Sequence, residues 1–138
     1  MSSSIAIGFS QADDPQEAAY QASISIKNQL KDSPVDMLIL FTSIHYAKKE
    51  VLEAIHTVLK PARLVGSSSA GVILSSGVFN RGIVLVAIAS ETINFGIGSC
   101  SHNSAKEFRQ LGFELNHACD MNYKSTFVRQ ASVSFCDR

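Results

Sequence analysis

The chain has no tryptophan, few prolines and cysteines (three of each in 138 residues), and no net charge, since twelve Lys and Arg balance twelve Asp and Glu. Each shortage excludes something. Nucleic-acid binders need clustered Lys and Arg to displace phosphate counterions, and here the cations are scattered and offset. The longest apolar run, Ile83-Val84-Leu85-Val86-Ala87-Ile88-Ala89, is seven residues, far short of the roughly 20 that a membrane span requires. The start, Met1-Ser2-Ser3-Ser4-Ile5-Ala6-Ile7, has no basic residue and reaches Gly8 before a signal-peptide core can form. Cys100, Cys119 and Cys136 are odd in number, widely spaced and in no metal-ligand pattern, so a reduced, cytoplasmic protein without a metal is expected. No Gly-x-x-x-x-Gly-Lys stands anywhere, which excludes a P-loop, and nothing points to a cofactor.

What is present fits a soluble globular domain: 46% hydrophobic residues, eight Phe and a length typical of one domain. Such a chain buries about two-thirds of the surface its unfolded form exposes.

Ile5-Ala6-Ile7-Gly8-Phe9 reads as a strand. Asp14, Pro15 and Glu17 then spell a helix start, with a capping side chain, a proline in the first turn and an acid three residues after the cap. Ala19, Ala22, Ile26 and Leu30 follow at helical spacing, a narrow stripe of mostly small residues suited to lying close on a sheet, until Asp32-Ser33-Pro34 breaks it. Met37-Leu38-Ile39-Leu40-Phe41 is apolar on both faces, as suits a strand covered by helices on each side. Val51, Leu52, Ile55, Val58 and Leu59 mark a second helix that Pro61 ends, and Arg63-Leu64-Val65-Gly66 is a third strand. The order βαβαβ predicts an α/β fold with a parallel half. Residues 82–89 and 92–98 are strand-like and separated only by Ser90-Glu91, which predicts an antiparallel β-hairpin. Ala105, Phe108, Leu111, Leu115 and Ala118 predict a third helix, and the stretch from Thr126 to Phe135 a weak last strand.

In such sheets ligands bind beyond the carboxyl ends of the parallel strands. Three loops lie there: Ser10-Gln11-Ala12-Asp13, Thr42-Ser43-Ile44-His45-Tyr46 and Ser67-Ser68-Ser69-Ala70-Gly71. The third offers hydroxyls and backbone N–H groups that suit a carboxylate or phosphate; a tight polar strand exit bent at Gly66 and Gly71 is the plain alternative. His45 supplies a donor and Tyr46 a wall with a hydroxyl handle. His56 falls between core positions 55 and 58 of the second helix, as a solvated residue does, and no metal site is read at His102 or His117. A Ser hydrolase is a minor reading: serines, His45 and Asp13 or Asp14 are at hand, but Gly66-Ser67-Ser68-Ser69-Ala70 ends in Ala where a nucleophile elbow has Gly.

Several of these motifs, in this order, resemble the FIST N-terminal domain, a sensory module of bacterial signal-transduction proteins that also occurs in F-box proteins. They are Gly8-Phe9-Ser10 with Asp13-Asp14-Pro15, the run Asp36-Met37-Leu38-Ile39-Leu40-Phe41-Thr42-Ser43, and above all Leu64-Val65-Gly66-Ser67-Ser68-Ser69-Ala70-Gly71-Val72-Ile73. That last run is similar to the family's Gly-Cys-Ser-Ser/Thr-Ala-Gly-Glu-Ile, with Ser67 in place of Cys and Val72 in place of Glu. The resemblance covers residues 1–122 as a FIST-like domain and is lost over 123–138, where Phe135-Cys136-Asp137-Arg138 replaces the family's continuation, as in a truncated member. It implies a cytoplasmic, non-catalytic domain that senses a small molecule such as an amino acid or a derivative. No cofactor, metal, nucleic acid or membrane is implied. On this reading the ligand residues are Ser10, Thr42, Ser43, His45, Tyr46, Ser68, Ser69, Ala70 and Gly71. Signalling proteins or a second copy are the expected macromolecular partners, and an interaction or dimerisation module is the alternative function.

Overall fold

In the computed structural model of the chain, residues 3–31, 33–100 and 131–133 are described. The chain divides into two compact units, Met1–Glu91 and Thr92–Arg138.

The first unit opens with β1 (Ser3–Ser10) and α1 (Pro15–Leu30). The helix starts as its sequence dictates: Asp14 is the cap, its carboxylate accepts from the Glu17 N–H at 2.8 Å, and Pro15 fills the first turn. Its end is marked by Lys31 in the left-handed region at φ 50°. Next come β2 (Met37–Ser43), a 3-10 turn (Ile44–Tyr46), α2 (Lys49–Leu59) and β3 (Leu64–Ser69). The short strands β4 (Val72–Leu74) and β5 (Gly77–Phe79) form a hairpin, and β6 (Ile83–Ser90) completes the unit.

The main sheet has the order β1-β6-β2-β3. β2 and β3 are parallel, whereas β6 runs antiparallel to both β1 and β2 and lies between them. The expected purely parallel half is therefore corrected to a mixed sheet. β1, β2 and β3 do point the same way, but the crossover through α1 skips one strand position.

The expected hairpin of residues 82–89 with 92–98 does not form. Residues 93–97 carry no regular structure, and β6 spends both edges on β1 and β2. A strand apolar on both faces is better buried at the centre of a sheet than on a hairpin arm. Its end is held by Asp36, whose carboxylate accepts from the Ser90 N–H at 2.8 Å. The hairpin that does form, β4–β5, turns through Ser75-Ser76 into Gly77, whose φ of 152° favours glycine.

Both described helices lie on one face of the sheet, not one on each side. On β1 this face carries Ala6, Gly8 and Ser10, all buried. Small residues are required there because α1 passes so close: a Cβ on Gly8 would stand 2.1 Å from the Ala22 carbonyl oxygen. The stripe Ala18, Ala19, Ala22, Ile26 and Leu30 is buried against it. From α2 the buried residues are Val51, Ala54 and Ile55, and Leu52 turns outward. These side chains join Leu38, Leu40, Ile83, Leu85 and Ala87 in one core. The register places Ile5, Ile7, Phe9, Ile39 and Phe41 on the opposite face, where Phe79 of β5 packs on Phe9 with ring centroids 4.8 Å apart.

In the second unit β7 (Gly98–Cys100) pairs in parallel with β8 (Ala131–Val133), which falls within the predicted last strand. The predicted third helix at 105–118 lies outside the described residues.

Candidate functional site

Because β1, β2 and β3 run the same way, their carboxyl ends meet at one end of the sheet. The register sets Ser10, Ile83, Thr42 and Ser68 in a single row across the four strands, and Ser43 opposite Ser69 one step further. The three loops singled out by sequence are thus brought to a common rim, joined there by residues 79–82 on the way into β6.

The rim is cross-linked by specific hydrogen bonds. Tyr46, completely buried, donates its hydroxyl to the Ala12 carbonyl at 2.9 Å, tying the loop after β2 to the loop after β1. Ser43 Oγ accepts from the Gly82 N–H at 3.3 Å, while the Ser43 N–H donates to the Gly82 carbonyl at 3.0 Å. Ser10 donates to Gln21 Oε1 at 2.8 Å and accepts from the Ala12 N–H at 3.2 Å. Gln11 Nε2 donates to the Arg81 carbonyl at 2.9 Å. The loop after β3 packs on the same segment, since a Cβ on Gly71 would stand 2.7 Å from the Phe79 carbonyl oxygen.

The nine predicted residues therefore divide into two groups. Ser10, Thr42, Ser43 and Tyr46 are buried, and the hydrogen bonds of Ser10, Ser43 and Tyr46 are made within the protein. His45, Ser68, Ser69 and Ala70 are exposed and Gly71 half-buried. Ser69 donates its hydroxyl to the Gly71 carbonyl, which leaves its oxygen able to accept. Among the described residues no hydrogen bond joins His45 to Ser67, Ser68 or Ser69, so the geometry of a Ser–His pair is not formed there. Sequence reading missed Gln21, Arg81 and Gly82. Their only signals were a polar helix position ten or so residues after a strand end and an Arg-Gly pair opening an apolar run.

Among the described residues, two grooves flank the helices. One, of about 460 Å³, is lined by Asp14, Glu17, Tyr20, Glu53 and Thr57; another, of about 280 Å³, by Lys27, Pro34, Leu59 and Lys60. Neither includes a residue of β1, β2 or β3. Among the described residues no cluster of three His, Cys, Asp or Glu could hold a metal ion, and no helix is long and apolar enough to cross a membrane.

The family model of the FIST N domain matches residues 36–136, more than half of the chain. The chain belongs to the FIST N domain family. The match begins at Asp36, so β1 and α1 precede it, and it takes in β2, α2, β3, the β4–β5 hairpin and β6. No curated protein matches the chain. FIST domains are sensory domains of signal transduction, and the two strand exits that the match contains, after β2 and after β3, carry eight of the nine candidate residues, from Thr42 to Gly71.

Proposed function

We propose that this FIST N domain is the ligand-recognition part of a cytoplasmic signal-transduction protein. It holds a small molecule, an amino acid or a derivative of one, at the carboxyl ends of β1, β2 and β3, and does not transform it. The reading is carried by one observation: three polar loops and the segment entering β6 converge on one rim, where Tyr46–Ala12, Ser43–Gly82 and Gln11–Arg81 hydrogen bonds lock the loops after β1 and β2 to each other and to that segment, and Gly71 of the loop after β3 packs on it. A rim so fixed loses little freedom on binding, which is what preorganised sites exploit. Ser68, Ser69, His45 and the backbone around Ala70 and Gly71 make the contacts; Ser10, Thr42, Ser43 and Tyr46 hold the loops from beneath.

The test is a thermal-shift screen of the purified chain against amino acids, related metabolites and nucleotides. A ligand at a hundredfold excess over its Kd raises stability by about 2.7 kcal/mol, a shift that is easily read. A cooperative melt that no amino acid or derivative moves contradicts the proposal.

A second reading, a module that pairs with a second copy, has its own supporting observation. On the sheet face away from the helices, Ile5 is 67% and Ile7 50% exposed. Contiguous exposed apolar surface favours association. Light scattering across a concentration series checks it, and a strict monomer counts against it.

A further inference from the structure

Arg81 stands where the loops of the rim meet. Its carbonyl is held by Gln11 from the loop after β1, and Gly82 beside it is bonded twice to Ser43 at the end of β2. On its other side Asn80 and Phe79 pack against Gly71 of the loop after β3. The guanidinium carbon lies 6.0 Å from the centroid of the Tyr46 ring, within the reach of a cation–π contact. That ring is itself immobile, being fully buried with its hydroxyl bonded to Ala12. The backbone and the platform beneath this side chain are therefore both fixed.

Its ionic partner, by contrast, is loose. Asp13 Oδ1 lies 3.6 Å from Nη1, beyond a good hydrogen bond, and the Asp13 side chain is 97% exposed. So open a pair contributes little in water. The planar fork of five N–H donors, which matches a carboxylate with two parallel bonds, is left largely unused by this one-point contact. Asp13 behaves as an exchangeable counter-ion on a preorganised cation. Lys49, another cation after β2, is paired along α2 with Glu53 at 3.0 Å.

We propose that Arg81 is the anion-recognising residue of the ligand site, and that the ligand carries a carboxylate which takes the place of Asp13 on the guanidinium. This rests on the ligand-sensing reading and adds the chemical class of the ligand. It also predicts that the ligand's remaining polar groups meet Ser68, Ser69 and the Gly71 backbone, and that an acid binds more tightly than its carboxamide.

The experiment is a thermal-shift and calorimetric comparison of L-alanine, L-leucine and L-glutamate with their α-carboxamides, which keep the amine and side chain but lose the α-carboxylate charge. The wild-type chain should bind at least one acid, and its amide about tenfold more weakly or worse, the scale of a lost charge-assisted hydrogen bond. Arg81→Ala should lose about tenfold in affinity for the acid, Arg81→Lys should keep part of it, and Lys48→Ala, which removes an exposed charge at the start of α2, should bind as wild type. Equal binding of acid and amide by the wild-type chain, which needs no variant to fold, overturns the Arg81 assignment while the sensory reading stands. Undiminished binding by a folded Arg81→Ala does the same. If the wild-type chain binds none of these acids or amides, the sensory reading fails for amino acids and this inference fails with it.

Discussion

The side-chain amide of Gln29 closes on both backbone polar groups of Ile7: Oε1 accepts from the Ile7 N–H at 3.4 Å and Nε2 donates to the Ile7 carbonyl at 2.8 Å. Ile7 lies on β1, at the edge of the sheet, and these are the groups that point away from β6. A side chain from α1 thus stands where the next strand would pair. Ser25 steadies it, with its carbonyl and hydroxyl oxygens each 3.2 Å from the same Nε2. Exposed edges template pairing between chains, and covering them is a common protection.

Gln29→Ala should therefore cost about 1 kcal/mol in stability, since both bonds are solvent-exposed, and increase self-association through β1. Chemical denaturation and light scattering read the two effects. Unchanged association of the variant at high concentration would show that Gln29 guards nothing.

Gly8→Ala should be among the most damaging small substitutions in the chain. The new Cβ would meet the Ala22 backbone oxygen at 2.1 Å, and Ile26 Cγ1 at 3.1 Å, so α1 must lift from the sheet. Overpacking against backbone of this kind costs about 3 kcal/mol or more. A denaturation midpoint equal to wild type would mean that α1 does not sit on β1 as described.

Ser23→Ala should stabilise. Ser23 on α1 is completely buried, and its hydroxyl has no hydrogen-bond partner among the described residues. Removing it relieves the desolvation of an unpaired polar group and improves helix propensity, together about 1 kcal/mol. A fall in melting temperature would show that the hydroxyl has a partner after all.

Tyr46→Phe keeps the ring that fills the core and removes only the bond to the Ala12 carbonyl. Stability should drop by about 1 kcal/mol, with amide exchange quickening at residues 11–13, because that bond pins the loop after β1. Unaltered exchange in this loop would mean that the rim is held without Tyr46.

Much of this organisation could be read locally. Asp14, Pro15 and Glu17 announce α1 within four residues, and Ala19, Ala22, Ile26 and Leu30 give its buried stripe. The strand exits carrying Ser10, Ser43 and Ser69 were legible for the same reason: each follows an apolar run that stops at hydroxyls. Strand order was not. Ile83 to Ala89 is apolar on both faces, which shows that the strand is central but not which neighbours it takes. The β4–β5 hairpin escaped because three-residue strands separated by Ser75-Ser76 have too little pattern to stand out, and its decisive feature is the backbone of Gly77. Gln29, Arg81 and Gln21 act across 22, 68 and 11 residues of sequence, on Ile7, Asp13 and Ser10, and nothing in their local context marks them.

Binding of a small molecule at the joined strand exits can be followed residue by residue in an amide chemical-shift map. The chain is titrated with the L-amino acid that gives the largest thermal shift, and perturbed amides are assigned. A ligand held at the rim produces saturable changes concentrated at residues 11–13, 43–46, 67–71 and 80–82. Changes confined instead to the α1–α2 groove around Glu17, Tyr20 and Glu53, or the absence of any saturable change, would contradict binding at the rim.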